Sequence, residues 1–571
     1  MSKKFRFKPI QQKLRQRANK VEKIAVKHHR KFFVTSLDNL RESRLLIAGW
    51  LVIVIALILI IAVQSFIFSR EIRNDAGVAG GTYAEGVIGE ISNINPLFTV
   101  TESEVSASKL IYSSLLRYDS SNHLRGEVAE SYTISNSGLT YNVKIRDGIS
   151  WHDGSKLTID DVIFTMELIK DPLTTSPLYS TWRNIKVEKS NKNTVKFTLL
   201  SPLASFPAAL TFGILPKSEL KDIEPAKLRE YTSEHIVMGS GPFKYRSITV
   251  ISDNQKTLSF TANKNFWRYS TKIDNFYLKN YKNSEELLGG FITGDVTGAV
   301  GLLTKDAQKA VDNRSGEVDG IALDSGVFAI FNMKNITDKN IRKALLLASD
   351  RTKIRELMSV GDIQPGVLDA PVAPEIYRSV DKLRQANFNK TAASKLINKK
   401  ITLDVVTLKD SDLEIIANEL AEQWRSIGIN VRVKAVDSGS IQQNFLIPRN
   451  YDVLIAELQL GADADVYAYW HSSGIKPQGL NFANYSSPIA DLALFNARTT
   501  LNVNNREQRT RNFVEQWLAD IPAVALYQPN LYYLRGKNVK SITQAPLASE
   551  SDRYRDVYRW TVETRNLYKT P

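Results

Sequence analysis

The chain of 571 residues contains no cysteine. That excludes a disulfide framework, a thiolate metal site, a thiol nucleophile and a lipid-modified N-terminal cysteine. Histidine is scarce. The six are His28, His29, His123, His152, His235 and His471, and none has HExxH or other two-histidine metal spacing. There is no GxSxG elbow, no Walker loop and no GxGxxG following a strand. Gly239-Ser-Gly-Pro242 has neither the flanking glycines nor the lysine that such loops need, so it reads as a sharp turn. Without a nucleophile and base pair, the sequence points to binding rather than turnover, and no cofactor is expected.

Charge is absent from residues 45–68, LLIAGWLVIVIALILIIAVQSFIF. At ~1.5 Å per residue this run is long enough for a bilayer core of ~30 Å. A cleavable signal peptide has an apolar core of only about 7–15 residues and then a small-x-small site. Here Ser69, Arg70, Glu71, Ile72 and Arg73 follow, so the run is expected to remain as one N-terminal transmembrane helix, a signal anchor. Residues 1–44 hold 14 Lys and Arg against Glu22, Asp38 and Glu42, a net +11 of the chain's +15. Basic residues beside a span stay in the cytoplasm, which puts the remainder outside the cell membrane. The high isoelectric point is thus local to the tail. Topology and attraction to anionic lipid account for it, and no nucleic-acid partner is expected. Ile10, Leu14, Val21, Ile24, Phe32, Leu37 and Leu40 in the tail suggest an amphipathic helix on the inner leaflet. The link of residues 69–79, with Gly77, is short and flexible. Residues 69–80 span at most ~40 Å when extended, which keeps the outer part near the membrane.

The outer part is long enough for two or three domains. Strand patterns fall at 81–91 and 195–199, and a hairpin at 132–145 turns at Asn136-Ser137-Gly138. Residues 106–116 read as a helix. Trp151-His152-Asp153-Gly154 is a turn, and Thr158 with Asp161 forms a capping-box pattern for a helix that Asp171-Pro172 stops. A helix is expected at 341–348. The clearest unit is a strand at 401–408, an amphipathic helix at 412–427, a stop at Gly428, and strands at 429–436 and 451–458. Strand, helix, strand with one crossover means a parallel pair covered on its faces. Interleaved strands and helices throughout argue for an α/β fold.

Ordered blocks now carry a resemblance. They begin with Gly80-Gly-Thr-Tyr, Asn95-Pro-Leu and Leu110-Ile-Tyr-Ser-Ser-Leu-Leu-Arg-Tyr-Asp119, then Val128-Ala-Glu-Ser-Tyr132. Arg146-Asp-Gly-Ile-Ser-Trp-His-Asp-Gly154 with Leu157-Thr-Ile-Asp-Asp-Val162 is the most specific. Gly239-Ser-Gly-Pro-Phe243, Asn265-Phe-Trp267 and Lys343-Ala-Leu-Leu-Leu-Ala-Ser-Asp-Arg351 follow. Tyr451-Asp452, Asp463-Ala-Asp465 and Tyr467-Ala-Tyr-Trp-His-Ser-Ser473 complete the set, with Asn481 and Tyr485. Together, over residues 80–565, these resemble the family 5 extracellular solute-binding proteins of ABC importers, the oligopeptide, dipeptide and nickel type. Asn95 replaces that family's usual Asp.

The resemblance implies a two-lobed type II periplasmic-binding-protein fold with an extra inserted domain. Lobe one would comprise 80–98, 215–325 and 521–565, the insertion 99–214, and lobe two 326–520. It also implies hinge closure around a ligand. Peptide-binding members hold an extended peptide by its main chain and meet its α-ammonium group with a lobe-two carboxylate. An ammonium taken out of water needs a paired acid. That acid falls at Asp463 or Asp465, with Asp463 favoured and Asp465 suited to capping a helix that starts near Val466. Backbone groups around Gln459, Leu460, Gly461 and Ala462 are candidates for pairing with the ligand. Thr101 and Glu102 fall in the family's first pocket loop, although Glu102 reads equally as a solvated acid. Trp470 and His471 are candidates for the cleft wall, although an aromatic on a helix is more often core. Trp151-His152-Asp153 is expected to be structural.

The expected function is a membrane-anchored substrate-binding subunit that takes short peptides and delivers them to ABC permease subunits. The alternatives are a peptide-sensing receptor without transport, and a nickel, metal-chelate or haem binder of the same family.

Overall fold

The computed structural model describes residues 52–59, 75–252, 255–374, 376–540 and 542–566. The expected basic tail lies outside the described residues. So does the expected apolar span except for residues 52–59. Those eight are helical, and Val52, Ile53, Ile55, Leu57, Ile58 and Leu59 are all more than half exposed. Among the described residues no helix is long and apolar enough to cross a membrane.

Residues 77–564 form one compact unit built on two large sheets. The first has seven strands. In spatial order they are Glu317–Ala322, Asn530–Arg535, Gly298–Val300, Thr82–Ile88, Asn275–Tyr281, Gln255–Ala262 and Phe243–Ser252. Thr82–Ile88 lies at its centre, parallel to both neighbours. The second has five strands, ordered Asn430–Val436, Thr402–Leu408, Val453–Gln459, Ser325–Phe331 and Ala523–Tyr527. A four-stranded antiparallel sheet spans Ala129–Ile134, Thr140–Ile145, Thr194–Thr198 and Lys186–Asn191.

The strand, helix, strand unit forms as its pattern requires. Thr402–Leu408 pairs in parallel with Asn430–Val436 and Val453–Gln459, and helix Asp412–Arg425 makes the crossover. Ile416, Leu420 and Trp424 are buried on its inner face, with Leu413 packed beside them. Gly428 follows the end of the helix at φ 93°, where a side chain would be strained. The five-stranded sheet is buried on both faces, one under Trp424 and the other under Trp470 and Trp517. The four-stranded sheet has no separate core. Tyr141, Val143 and Phe197 share one cluster with Tyr83, Phe276 and Trp560 of the seven-stranded sheet's side.

Two local readings change. Helix 106–116 is instead Glu102–Ile111, because Thr101 and Glu104 form a capping box that starts it four residues earlier. Tyr112 is extended, and Leu116–Tyr118 joins a short strand. The loop at Gly239 explains where the helix stops. Gly241 N donates to the Ile111 carbonyl at 2.7 Å. A Cβ on Gly239 would lie 2.0 Å from that same oxygen, so only glycine permits the approach. Finally, Ala523–Tyr527 does not begin the return to the first lobe. It is the edge strand of the five-stranded sheet, buried along its whole length. The chain crosses back at Gln528–Pro529, because five consecutive buried residues need cover on both faces. The forward crossing lies at Leu323 and Asp324. The two crossings are tied together: Leu323 N donates to the Pro529 carbonyl at 3.0 Å, and Gln528 Nε2 donates to the Leu323 carbonyl at 2.9 Å.

Candidate functional site

Strand Val453–Gln459 delivers the loop 460–466 to the crossing point. Leu460 N and Gly461 N both donate to the Asp324 carbonyl, at 2.8 and 3.1 Å. Gly461 takes φ 68° to allow this. Two of the loop's backbone donors, expected to face a ligand, are therefore used inside the protein. Gln459 is exposed and paired across the strand with Ser325, and Ala462 is half-buried.

The two acids of the loop part company. Asp465 accepts from Ser205 Oγ at 2.7 Å and meets Arg498 Nε at 3.1 Å. It therefore fastens the loop to the four-stranded-sheet domain and to the helix Pro488–Thr499. It caps no helix: Tyr467–Trp470 starts after Val466, with no side-chain cap. Asp463 accepts only the Asp465 amide, at 3.2 Å, and among the described residues no Lys, Arg or His side chain forms an ion pair with it. Burial, and then the Asp465 charge, push its carboxyl up to about 6. It lines a cavity of about 20 Å³, room for one water, between Ala204–Ser205 and the helix Val503–Asp520.

A second acid joins it from the crossing strand. Asp324 is 5% exposed, accepts from Asn122 Nδ2, and is likewise pushed up to about 6, by burial first and then by the Asp552 charge. The Asp463 charge raises Asp324, and both raise the Tyr118 hydroxyl, so the three face one region. Sequence reasoning missed Asp324, Asn122 and Tyr118. Asp324 carries no local signal, because only the chain crossing brings it beside the 460–466 loop. Tyr118 sits within a quoted block, yet nothing in the block shows which way it faces.

Tyr118 also bounds a larger cavity, about 420 Å³, together with Glu102, Lys109, Asp552 and Arg555. All of its lining falls within residues 96–268 and 549–558. Glu102 is exposed there and accepts from Ser551 N at 3.2 Å. Glu550 beside it is pushed up to about 7, by burial and then by Glu102. Lys109 answers Asp552 at 2.5 Å.

Three expected cleft residues do other work. Thr101 is the helix N-cap, accepting from Glu104 N, with its hydroxyl also near the Glu90 carbonyl. Trp470 is 1% exposed and packs edge-on against Trp517 at 5.5 Å, because its helix lies flat on the five-stranded sheet. His471 stacks on Tyr467 at 4.1 Å and caps the turn Ser472–Gly474 through Nδ1. Trp151-His152-Asp153 is a turn, as expected: Trp151 N donates to Ser155 O, and His152 N donates to Gly239 O.

Comparison with known proteins agrees with the architecture. A model of the "Bacterial extracellular solute-binding proteins, family 5 Middle" matches residues 123–478, more than half of the chain. The oligopeptide-binding protein AppA of Bacillus subtilis is 27% identical over 497 residues, covering 82% of this chain and 90% of that protein. The solved structure of that AppA with a nonapeptide covers 85% of this chain and 99% of its own, at 24% identity and a TM-score of 0.69. NikZ from Campylobacter jejuni, solved with Ni(L-His), covers 84% and 99%, at 24% identity and a TM-score of 0.71. The fold is thus the α/β two-lobed periplasmic-binding-protein fold, and the chain belongs to the family 5 bacterial extracellular solute-binding proteins.

Proposed function

We propose that this chain is the membrane-anchored substrate-binding subunit of an ABC importer, which binds short peptides between its two lobes and hands them to a permease without covalent chemistry. The observation that carries the peptide reading is Asp463. It is a half-buried carboxylate in no salt bridge among the described residues, with Arg506 acting on it only as a charge from the wall of the same small cavity. A second acid without a salt bridge, Asp324, lies near it at the point where the chain passes between the sheets. A carboxylate in such a place costs several kcal/mol unless a cation joins it. A peptide's α-ammonium group is that cation, and Asp463 is its partner. Asp465, already held by Arg498 and Ser205, positions the loop. Glu102 extends the acidic lining toward the larger cavity. The relative AppA is named as an oligopeptide-binding protein, which supports the same class.

Closure follows from the connections. Two tied crossings, at 323–324 and 528–529, join the sheets, and a pair of short linked strands is where hinge rotation concentrates. With lobe one and its insertion on one side and lobe two on the other, Asp463 and Tyr118 approach across the gap. The anchor reading rests on the uncharged run 45–68, on the +11 tail, and on the exposed apolar helix 52–59.

Mass spectrometry of whatever co-purifies with the full chain tests this. Short peptides with free amino termini are expected, together with the permease subunits in a mild-detergent preparation. A metal chelate or haem in place of peptide overturns the peptide reading. A peptide without a permease favours a sensing receptor.

A further inference from the structure

A third cavity, of about 590 Å³, adjoins the 420 Å³ one and shares Arg117, Arg268 and Tyr558 with it. Four arginines line it, Arg117, Arg146, Arg268 and Arg559, against one acid, Asp147. Its lining is therefore +3, in a chain whose net charge beyond residue 44 is only +4. Among the described residues, Arg117, Arg146 and Arg559 have no carboxylate within ion-pair distance. Arg268 has Asp556, at a long 3.7 Å. Asp147 is occupied by the Asn193 amide at 3.0 Å.

Three of the guanidinium groups, those of Arg117, Arg146 and Arg559, are held in place without a salt bridge among the described residues. Arg146 donates through Nε to the Glu127 carbonyl at 3.3 Å and lies over the Trp267 ring at 5.0 Å. Arg117 donates to the Tyr118 carbonyl at 3.0 Å. Arg268 donates to the Tyr558 hydroxyl at 2.9 Å and lies over that ring at 4.7 Å. Arg559 is exposed and sits 5.8 Å from the Tyr269 ring, which stacks on Tyr558. Burial, and then the Arg117 charge, lower the basicity of Arg268, so the cluster repels itself. Gly148 at the rim, φ 86°, has no heavy atom within 4 Å of where a Cβ would stand. Planar guanidinium forks match the oxyanions of phosphates and carboxylates.

Position supplies the source. Tyr558 O accepts from Lys272 N at 3.1 Å, and Lys272 O accepts from Gly80 N at 2.9 Å. One wall of the pocket is thus two hydrogen bonds from Gly80, three residues after the chain enters the compact unit. Tyr269 beside it is 61% exposed, an aromatic with a polar tip of the sort that sits at headgroup level. We propose that this pocket binds the phosphodiester of an anionic phospholipid headgroup and holds the solute-binding unit against the bilayer beside its own tether. The proposal rests on the anchor reading only for the nearness of lipid.

The test is hydrogen exchange on the full chain in nanodiscs of phosphatidylcholine, with and without phosphatidylglycerol. Anionic discs are expected to slow exchange severalfold at residues 146–149 and 267–269, and raised salt to abolish the effect. Arg117→Ala with Arg559→Ala is expected to remove it, with exchange in the two large sheets unchanged. Equal exchange in both discs overturns the proposal. Inorganic phosphate that reproduces the protection in phosphatidylcholine discs overturns the membrane source. The anchor reading is scored separately, by whether the chain stays with phosphatidylcholine discs. If it does not, sedimentation with phosphatidylglycerol liposomes, wild type against the double variant, makes the same comparison.

Discussion

Arg553 donates to Glu85 through Nη2 at 2.6 Å and Nε at 3.0 Å, in a site where one side chain is 1% and the other 0% exposed. Glu85 stands on the central strand of the seven-stranded sheet, and Arg553 on the C-terminal segment that covers it. Tyr83, Tyr533 and Tyr554 complete the shell around the carboxylate. Both Arg553 donors converge on Oε1, a doubly charge-assisted contact, yet the desolvation of so enclosed a pair offsets much of its attraction.

Removing one partner leaves a buried charge. Glu85→Gln or Arg553→Met is expected to cost about 3–5 kcal/mol. The double replacement Glu85→Leu with Arg553→Met is expected to recover part of that. Denaturant unfolding of the four chains checks it, and a double-variant cost equal to the sum of the two single costs would show that the pair is not a unit.

Asp463→Asn is expected to weaken peptide binding by about 3 kcal/mol or more, since one member of a buried charge pair is lost. N-acetylated peptides should bind poorly to the wild type and show little further loss with the variant. Calorimetry on both ligands settles the matter. Unchanged affinity for the acetylated peptide would remove the amine clamp.

Peptide binding should also follow the charge of Asp463. Its carboxyl titrates near 6 in the free protein, so affinity should fall as pH drops from 7 to 5. Asp463→Asn should flatten that dependence.

Stability runs the other way. Asp324 and Asp463 both have carboxyls raised above the unfolded value, so each favours the folded state while protonated and loses that contribution as pH rises through about 6. The ligand-free protein should therefore melt at a higher temperature at pH 5 than at pH 7.5. Asp324→Asn should raise the melting temperature at pH 7.5 and narrow the gap.

Two glycines should respond with opposite sign. Gly239→Ala drives a Cβ into the Ile111 carbonyl and is expected to cost about 1–3 kcal/mol. Gly289, inside helix Ser284–Ile292, has nothing within 4 Å of a Cβ. Gly289→Ala is expected to add about 0.5–1 kcal/mol of stability. Thermal melts of both variants give the answer.

Much of this protein was legible along the chain wherever the cause is local. The capping box at Thr158 and Asp161, the stop at Gly428 and the strand expected at 401–408, which runs Thr402–Leu408, each depend on neighbours within a few residues, and each formed. Motif order carried the family for the same reason, since it needs only sequence. The helix at 102–111 carried an equally local signal, Thr101 with Glu104, that the apolar pattern outweighed.

The acid pair and the arginine pocket were beyond such reading. Asp324 meets the loop of Asp463 only because the chain crosses between two sheets there. Arg117, Arg146, Arg268 and Arg559 come from four separate segments, and only packing brings them to one wall. Composition determined that this chain has no thiol chemistry, a basic tail and one long uncharged apolar run. The tertiary structure alone decided which acids stand outside a salt bridge, because burial and the distance between charges belong to folded neighbours and not to sequence neighbours.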